Sequence, residues 1–195
     1  MKVLIIGGTA YTSRVVVDYL EKNNYIVDLM TYRQENRIYG NYNWQHLDLE
    51  NNDNVLDFIN KIPKNYYSKI ILMPGNATGT AFDDISYEDL KKYYESYSFN
   101  YILLLTKLMD SITEYGQIIS ISSIAANLAI NDIHYSAVKA AVQACVKSLS
   151  LYVKENQSIF SISPGTIFEE TKHTIAQTII DSDKTYNGKV IEIGY

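Results

Sequence analysis

Several residue types and patterns are scarce in this sequence, and each absence excludes a class of protein. The chain of 195 residues has a single cysteine, Cys145, so neither an internal disulfide nor a cysteine-based metal cage can form. No apolar run approaches the ~20 residues that a membrane-spanning helix needs. Basic residues form no dense block, and 17 Lys and Arg against 22 Asp and Glu give a formal charge of −5. We therefore expect no nucleic-acid partner and no membrane partner.

The amino-terminal segment also lacks a targeting pattern. Only four apolar residues, 3–6, follow Met1 and Lys2 before a glycine pair, which is too short for the apolar region of a signal peptide. With 47% hydrophobic residues, one domain spanning 1–195 can bury a substantial core. The single cysteine suits a reducing compartment. We therefore expect a single-domain cytoplasmic protein.

Short β-branched runs alternate with longer amphipathic stretches along the chain. The strands are predicted at 2–6, 25–30, 43–47, 69–73, 117–121, 158–162 and 189–193. The helices are predicted at 10–22, 52–61, 86–109, 134–155 and 170–181. Several strands are apolar on both faces, as strands covered from both sides must be. The predicted fold class is therefore α/β, a doubly wound, Rossmann-like parallel sheet of about seven strands with helices on both faces. Asp28 interrupts the second strand for no reason that the sequence reveals.

The turn after the first strand has the small residues that a phosphate-binding turn needs. Gly7 can make the sharp turn, and Ala10 and Ser13 follow at three-residue spacing, so the backbone could approach a pyrophosphate at the start of the first helix. The hydroxyls of Thr9, Thr12 and Ser13 could donate hydrogen bonds to the phosphates. The segment predicts a dinucleotide site, although Gly-Gly-Thr also occurs in ordinary strand-to-helix turns.

Two further strand ends bear on the adenosine half of such a cofactor. Asp48, which is followed by Leu49, could hold the exocyclic amine of an adenine, or it could cap the helix at 52–61. The second strand ends at Thr31 without the acid that NAD-binding folds often place there for the ribose hydroxyls. This absence favours NADP over NAD, with Arg33 either pairing with the 2′-phosphate or remaining a solvated charge.

The fifth predicted strand and the helix after it carry the clearest chemical signal. On a helix, residues four apart share a face, so Lys139 lies one turn beyond Tyr135 and places an ammonium near the phenol. A phenol of reference pKa ~10 is a poor acid–base catalyst, and a neighbouring cation brings such a group into a useful range. Ser123, at the carboxyl end of the strand, can polarise a substrate carbonyl for hydride attack.

These residues resemble the short-chain dehydrogenase/reductase family, and the resemblance runs over residues 1–195. Tyr135 and Lys139 match its Tyr-x-x-x-Lys motif, and Ser122 and Ser123 match its serine segment. The resemblance implies that Asn100 is the helix asparagine that supports a proton relay, and that 164–166 line the nicotinamide. The predicted catalytic residues are Asn100, Ser123, Tyr135 and Lys139. The predicted cofactor-binding residues are Gly7, Thr9, Ala10, Tyr11, Thr12, Ser13, Thr31, Arg33, Asp48, Leu49, Gly75, Asn76, Ala77, Tyr135, Lys139, Pro164, Gly165 and Thr166.

Other positions depart from the family pattern. Tyr11 and Ser13 stand where its commonest spacing has glycines, and Gly75 and Thr78 replace the end residues of its Asn-Asn-Ala-Gly motif. The serine-to-tyrosine interval is one residue shorter than common, which leaves Ser122 as an alternative to Ser123. Only about two dozen residues separate 164 from the last predicted strand, so the usual substrate lid is largely missing.

The resemblance implies an NAD(P)-dependent oxidoreductase that moves a hydride between a nicotinamide and a carbonyl or alcohol carbon. Tyr135 would be the general acid and base, Lys139 would hold the nicotinamide ribose, and Ser123 would orient the carbonyl. With so short a lid, we expect an open cleft and a bulky small-molecule or carrier-bound carbonyl substrate. The alternatives are a nucleotide-binding or assembly protein that has lost turnover, and an epimerase or dehydratase of the family acting on a sugar nucleotide.

The resemblance also implies a homo-oligomer formed through helices 86–109 and 134–155. Tyrosines recur at every fourth position of the first helix, which is typical of core or subunit contacts. His134 either caps its helix or touches substrate, and Cys145 is expected to pack in its helix. The histidines have no spacing typical of metal ligands, so no metal site is predicted. The tyrosines that recur at every fourth position of the helix predicted at 86–109 are Tyr93, Tyr97 and Tyr101.

Overall fold

The strands form one parallel sheet with helices between them along the chain, as the sequence predicts. The computed structural model describes residues 1–7, 11–32, 43–75 and 85–194. Within these ranges the strands are β1 (Lys2–Ile6), β2 (Ile26–Thr31), β3 (Asn43–His46), β4 (Tyr67–Leu72), β5 (Ile112–Ile121), β6 (Ser158–Pro164) and β7 (Val190–Ile193). The helices are α1 (Tyr11–Lys22), α2 (Asn52–Lys61), α3 (Tyr87–Tyr94), α4 (Asn100–Lys107), α5 (Ile133–Leu149) and α6 (Glu169–Asp181).

The strand order is β3-β2-β1-β4-β5-β6-β7, and neighbouring strands are parallel throughout. All the strands therefore end at one edge of the sheet, the carboxyl edge. The order reverses between β1 and β4, and open α/β sheets bind ligands outside the carboxyl ends of the strands at such a switch point. Six of these strands have a described candidate residue at or just after their end, so the topology brings those residues to one edge. They are Gly7, Thr31, Asp48, Gly75, Ser123 and Gly165.

Alternating side chains of the strands build two cores. In β1, Val3 and Ile5 pack in the core that α1 and α6 cover, whereas Leu4 and Ile6 pack in the core that α4 and α5 cover. All four are at most 1% exposed. The sheet is therefore buried on both faces, which is why its strands are apolar at successive positions rather than at alternate ones.

Two helix predictions need correction. The segment predicted as one helix at 86–109 is α3, a π-helical turn (Glu95–Phe99), α4 and a 3₁₀ turn (Leu108–Ser111). The helix predicted to reach 155 ends at Leu149, and the apolar residues after it are 82% (Leu151) and 76% (Tyr152) exposed. Those two residues continue the apolar pattern in the sequence without contributing to the core, so periodicity alone extended the helix too far.

The unexplained Asp28 is the acceptor of a buried polar cluster. It is 4% exposed, and its carboxylate accepts a hydrogen bond from the Tyr67 hydroxyl at 3.0 Å and an ion pair from Lys2 at 3.1 Å. Burial is also the main cause that raises the pKa of Tyr67 above its usual value, so the phenol remains a donor. A buried carboxylate with such partners is tolerated in a central strand.

Among the helices that the structure describes, none combines the length and the apolar character that crossing a bilayer requires.

Candidate active site

Gly7 lies where β1 and β4 end side by side. Its φ is +91°, and a Cβ atom on it would lie 2.6 Å from the backbone nitrogen of Pro74 and 2.8 Å from the carbonyl carbon of Met73. Only glycine fits both that conformation and that space. The sharp turn predicted at Gly7 is therefore present at the switch point of the sheet, directly before α1.

The first turn of α1 agrees only partly with the predicted phosphate site. Thr12 is 8% exposed, and Ser13 is fully buried. Ser13 therefore has no surface open to solvent in this structure, and the contact of its hydroxyl with a phosphate stays a prediction. Dinucleotide folds place the last glycine of their motif where the first helix packs closely against the sheet. Thr9 and Ala10 lie outside the described residues, and α1 begins at Tyr11.

The loop after β3 carries Asp48 and Leu49, which the sequence predicts as cofactor contacts. Asp48 is half-buried, and its Oδ1 accepts a hydrogen bond from the backbone N–H of Glu50 at 2.8 Å. Asp48 does not cap α2, because Asn51 does so by accepting from the backbone N–H of Asn54 at 3.0 Å. The capping alternative for Asp48 is therefore wrong. Leu49 beside it is 9% exposed.

The end of β2 offers a buried hydroxyl and an exposed ring. Thr31 is 4% exposed, and its carbonyl accepts a hydrogen bond from the backbone N–H of Leu47 at 2.9 Å. The next residue, Tyr32, is 54% exposed, and its ring lies 6.4 Å from that of His46. Arg33 lies outside the described residues, so its pairing with a ribose phosphate stays a prediction.

Asn100, which directly follows the π-helical turn, bonds to the loop after β3 and to the start of α2. Its side-chain nitrogen donates to the carbonyl of Leu49 at 2.9 Å and to Oδ1 of Asn52 at 2.7 Å. One amide hydrogen is therefore used on the loop after β3 and the other on the first residue of α2. The backbone N–H of Asn100 donates to the carbonyl of Glu95, which closes the π-helical turn, and such turns are frequent at functional sites. The part of Asn100 in a proton relay stays a prediction.

The two serines after β5 have different hydrogen bonds. The Ser122 hydroxyl donates to the backbone carbonyl of Lys139 at 3.2 Å, so its hydrogen is already used. The Ser123 hydroxyl instead accepts from the backbone N–H of Ala125 at 3.2 Å, and within the described ranges its own hydrogen has no acceptor. Of the two alternatives, the structure therefore supports Ser123 as the donor to a substrate oxygen.

The helix α5 presents Tyr135 and Lys139 on one face. Asp132 caps the helix by accepting from the backbone N–H of Tyr135 at 2.9 Å. Tyr135 is half-buried, and the Lys139 ammonium lies 5.5 Å from the centroid of its ring. That ammonium donates to the backbone carbonyls of Ile121 at 3.3 Å and Pro74 at 3.5 Å. Burial lowers the pKa of Lys139 to about 8, because an ammonium without a neighbouring acid is poorly solvated there.

The glycine after β4 makes room for this ammonium. Gly75 has a φ of +157°, and a Cβ atom on it would lie 2.6 Å from Nζ of Lys139. Gly75, which replaces the usual residue of the family motif at this position, therefore leaves the space that the Lys139 ammonium occupies. The predicted cofactor contacts Asn76 and Ala77 lie outside the described residues.

Gln143 is a site residue that the sequence reasoning missed. It lies one turn beyond Lys139 and is 2% exposed. Its side-chain nitrogen donates to the carbonyl of Ser123 at 3.3 Å and to the Ser163 hydroxyl at 3.0 Å, so it fixes the backbone that carries the candidate donor. The four-residue spacing that links Tyr135 to Lys139 continues to Gln143 and could have revealed it.

The ends of β6 and β7 close the other side of the site. The backbone N–H of Gly165 donates to the carbonyl of Ile193 at 2.8 Å, and a Cβ atom on Gly165 would collide with the carbonyl of Gly194. The Thr171 hydroxyl donates to the carbonyl of Thr166 at 3.1 Å. Only residues 165–168 separate β6 from α6, so the short lid predicted from the sequence is confirmed.

The remaining candidate residues have structural surroundings. Asp132, not His134, caps α5, and the His134 ring packs edge-on against Tyr94 at 6.0 Å. Tyr101 is 1% exposed, and its hydroxyl donates to the Leu72 carbonyl at 2.9 Å, so it belongs to the core and cannot be a subunit contact. Cys145 packs half-buried against the core, and burial raises the pKa of its thiol.

Tyr93 in α3 and Tyr97 in the π-helical turn lie side by side. Both are half-buried, and their ring centroids are 5.0 Å apart. Burial raises the pKa of Tyr93, and the nearby Asp132 and Tyr135 add to that shift, so Tyr93 lies beside the start of α5. Over the described ranges, no group of three or more His, Cys, Asp or Glu side chains is arranged to hold a metal ion.

Comparison with known proteins identifies relatives of this chain. Residues 2–179 match the family model described as short chain dehydrogenase. No curated protein sequence matches.

Solved structures share the fold at low sequence identity. The protein lin1944 from Listeria innocua has a TM-score of 0.80 at 19% identity, with 98% of each chain covered. The serine dehydrogenase from Escherichia coli has a TM-score of 0.80 at 18% identity, covering 98% of this chain and 96% of that one. BdcA in complex with NADPH has a TM-score of 0.86 at 14% identity, covering 98% and 92%.

Proposed function

We propose that this chain, which belongs to the short-chain dehydrogenase family, is an NAD(P)-dependent oxidoreductase acting on a carbonyl or alcohol carbon. One observation carries the proposal. Ser123 keeps its hydroxyl hydrogen, while Tyr135 and Lys139 lie on the helix face that packs against the same strand end. A hydrogen-bond donor, a phenol and an ammonium together can bind a carbonyl oxygen and protonate it.

Each side chain has a separate task in carbonyl reduction. A bound nicotinamide supplies the hydride. The Ser123 hydroxyl donates to the substrate oxygen, and the acceptor bond from Ala125 makes that hydroxyl a stronger donor. Tyr135 transfers its proton to the same oxygen as negative charge develops there. The Lys139 ammonium, 5.5 Å from the ring centroid, stabilises the phenolate that remains, and alcohol oxidation reverses these steps.

The residues present fit a dinucleotide. Gly7 supplies the turn at the end of β1, where the strand order reverses, and dinucleotide folds hold a pyrophosphate at the start of the helix that follows such a turn. Lys139 would hold the nicotinamide ribose. We propose NADP rather than NAD, because β2 ends without an acid, and Arg33 is close in sequence. BdcA with NADPH and ElxO with NADP are structural relatives that bind this form. Dissociation constants for the two cofactors test the preference.

Replacing the phenol tests the proposed function. We expect Tyr135→Phe to lower kcat by about 10²–10⁴-fold, the range of a general acid–base contribution, and to leave the cofactor dissociation constant nearly unchanged. Tyr152→Phe is the matched control, because Tyr152 is 76% exposed and lies after the far end of α5. Turnover is measured as the change in reduced nicotinamide absorbance, and cofactor binding by its fluorescence. A Tyr135→Phe variant with the rate of the control contradicts the proposal.

The two alternatives give different outcomes in the same assay. A protein that has lost turnover would bind cofactor and convert no carbonyl or alcohol. An epimerase or dehydratase would convert a sugar nucleotide with no net change in nicotinamide absorbance, so product analysis identifies it.

We also propose a homo-oligomer formed through the segments predicted as helices 86–109 and 134–155. Phe99 in the π-helical turn is 66% exposed, and the small residues Ala137 and Ala144 are exposed on α5. An exposed ring and small side chains on neighbouring helices suit close helix packing between subunits. Light scattering at micromolar concentration tests this, and a monomer contradicts it.

A further inference from the structure

Two loops beside Tyr135 and Ser123 expose large apolar side chains. One loop joins β5 to α5, and the other joins β6 to α6. Leu128 and Ile130 in the first loop are 48% and 42% exposed, and Ile133 at the start of α5 is 50% exposed. In the second loop, Ile167 is 44% and Phe168 is 68% exposed. We call these five residues the apolar rim.

Contacts at their bases hold the two loops together. Gly165 in the second loop approaches Ile124 in the first so closely that a Cβ atom would lie 3.3 Å from Cδ1 of Ile124. Asn127 donates to the carboxylate of Glu192 at 3.2 Å, which fastens the first loop to β7. Single exposed apolar residues are ordinary on a protein surface, whereas a group on adjoining loops at the mouth of a site indicates a binding surface.

The charges beside the apolar rim are acidic. Between 122 and 138 and between 164 and 171, the carboxylates are Asp132, Glu169 and Glu170, and the sequence has no lysine or arginine there. The basic residues that directly follow these two segments are Lys139, whose ammonium is buried, and Lys172, which donates to Glu169 at 2.9 Å. A phosphate or carboxylate on these two segments would meet the like charge of their carboxylates, and the segments themselves supply no lysine or arginine to offset it.

We propose that the substrate is a carbonyl or alcohol compound with an extended apolar body and no anionic group, and that its body lies on the apolar rim. This inference rests on the proposed function. It disfavours the sugar nucleotides and carrier-bound acyl groups that an open cleft alone would admit, since both carry phosphates. Phe168 is then a specificity-determining residue, because it is the largest and most exposed member of the rim.

A series of straight-chain aldehydes tests the apolar part of the proposal. From butanal to nonanal, we expect kcat/KM to rise about twofold per methylene, roughly half of what complete burial of each group would give. Phe168→Ser should flatten this rise. Serine is a good helix N-cap and Phe168 occupies the N-cap position of α6, so the variant is expected to fold. Leu151→Ser is the matched control, since Leu151 is 82% exposed after the far end of α5.

A charged analogue tests the electrostatic part. We expect 9-oxononanoate to have a kcat/KM roughly fivefold below that of nonanal at low salt, and the difference to shrink as salt screens the carboxylates. A flat chain-length series, a preference for the oxo-acid, or equal effects of Phe168→Ser and Leu151→Ser overturns the inference. So does light scattering that shows Phe168→Ser dissociating an oligomer, because the rim would then be a subunit interface.

A binding measurement separates failure of this inference from failure of the proposed function. If cofactor does not bind, or no aldehyde is converted, the proposed function fails. Calorimetric titration with octan-1-ol and with octanoate then still tests the rim. Tighter binding of the alcohol, weakened in Phe168→Ser but not in Leu151→Ser, supports the inference. Equal or absent binding of the two compounds overturns it.

Discussion

Lys69 and Lys139 are equally buried lysines at opposite edges of the sheet, and their hydrogen bonds differ. Each is 5% exposed, and burial lowers the pKa of each to about 8. Lys69 lies in β4 near the amino edge of the sheet, whereas Lys139 projects from α5 to the carboxyl edge. A buried lysine with a lowered pKa is often read as a functional residue, and here the same signal occurs twice.

The partners of the two ammonium groups distinguish them. Lys69 donates to Oε1 of Gln117 and, at 3.1 Å, to the Ser182 hydroxyl, and Asp181 and Asp183 partly offset the effect of burial on its pKa. Those bonds fasten the end of α6 to the sheet. Among the residues that the structure describes, the Lys139 ammonium donates only to two backbone carbonyls, at 3.3 and 3.5 Å, and burial is the cause that lowers its pKa.

From this difference we infer that incomplete bonding, rather than burial or a shifted pKa, distinguishes the lysine that we propose to be functional. Lys69 has side-chain partners suited to its charge, as a structural residue does. Lys139 has long bonds, a glycine that makes room for it and a phenol beside it, so a ligand hydroxyl can still bind there.

The largest effect that can break this comparison is on activity. We expect Lys139→Met to lower kcat/KM by on the order of 10³-fold, because the phenolate of Tyr135 loses its neighbouring cation. Lys69→Met should stay near the wild-type value, since Lys69 lies at the other edge of the sheet. Steady-state kinetics with a common aldehyde substrate measures both variants.

Stability should change in the opposite sense. Lys69→Met removes one buried donor from both Gln117 and Ser182, although the Ser182 hydroxyl still donates to Oε1 of Gln117 at 3.0 Å, and we expect the loss to lower the free energy of unfolding by about 1–3 kcal/mol. Lys139→Met removes an ammonium that no acid offsets, so its stability should equal or exceed that of the wild type. Urea unfolding measures both, and a result in which Lys69→Met is the inactive variant and Lys139→Met the unstable one reverses our assignment.

The same contrast shows what a sequence can reveal. The fold was predictable, because β1 and its neighbours are apolar on both faces and the intervening helices are amphipathic. The carboxyl-edge position of Ser123 and the four-residue spacing of Tyr135 and Lys139 were predictable too, since both follow from strand and helix geometry.

What could not be predicted depends on contacts between distant segments. Nothing local shows that Asn100 binds the loop after β3, that Ser13 is buried, or that Ser122 is bonded to the Lys139 carbonyl. The end of α5 was misplaced for a related reason, because whether Leu151 meets a core is a property of its neighbours and not of its own apolar character.

A smaller effect on activity should separate two buried glutamines in the same way. Gln143→Leu removes the donor that holds the Ser123 carbonyl, and we expect kcat to fall about tenfold with a smaller change in KM, because a misplaced donor loses its alignment in the transition state. Gln157→Leu is the matched control. Gln157 is 5% exposed, and its side-chain nitrogen likewise donates to a backbone carbonyl, that of Thr113, at 3.0 Å.

Both glutamine variants lose a buried hydrogen bond, so unfolding experiments should show comparable losses of stability. Only Gln143→Leu should also lose kcat. If the two variants lose kcat equally, the effect is a general consequence of destabilisation, and Gln143 has no positioning role.

The smallest expected effect is a pH dependence of stability that the two lysines share. Both have a pKa of about 8 in the folded protein and an ordinary value of 10.5, so between these values the unfolded chain binds more protons. The free energy of unfolding should therefore rise with pH, and each lysine should contribute about 1–2 kcal/mol between pH 8 and 9.5.

Cys145 and the buried tyrosines, whose pKa values burial raises, act in the opposite sense. Subtracting the free energy of unfolding of each Lys→Met variant from that of the wild type cancels the contribution of the cysteine and the tyrosines. Urea midpoints at pH 7.5, 8.5 and 9.5 should then show a positive slope lost in equal parts by Lys69→Met and Lys139→Met. A slope carried by one lysine alone would mean that burial does not lower the pKa of the other, and the comparison between them would fail.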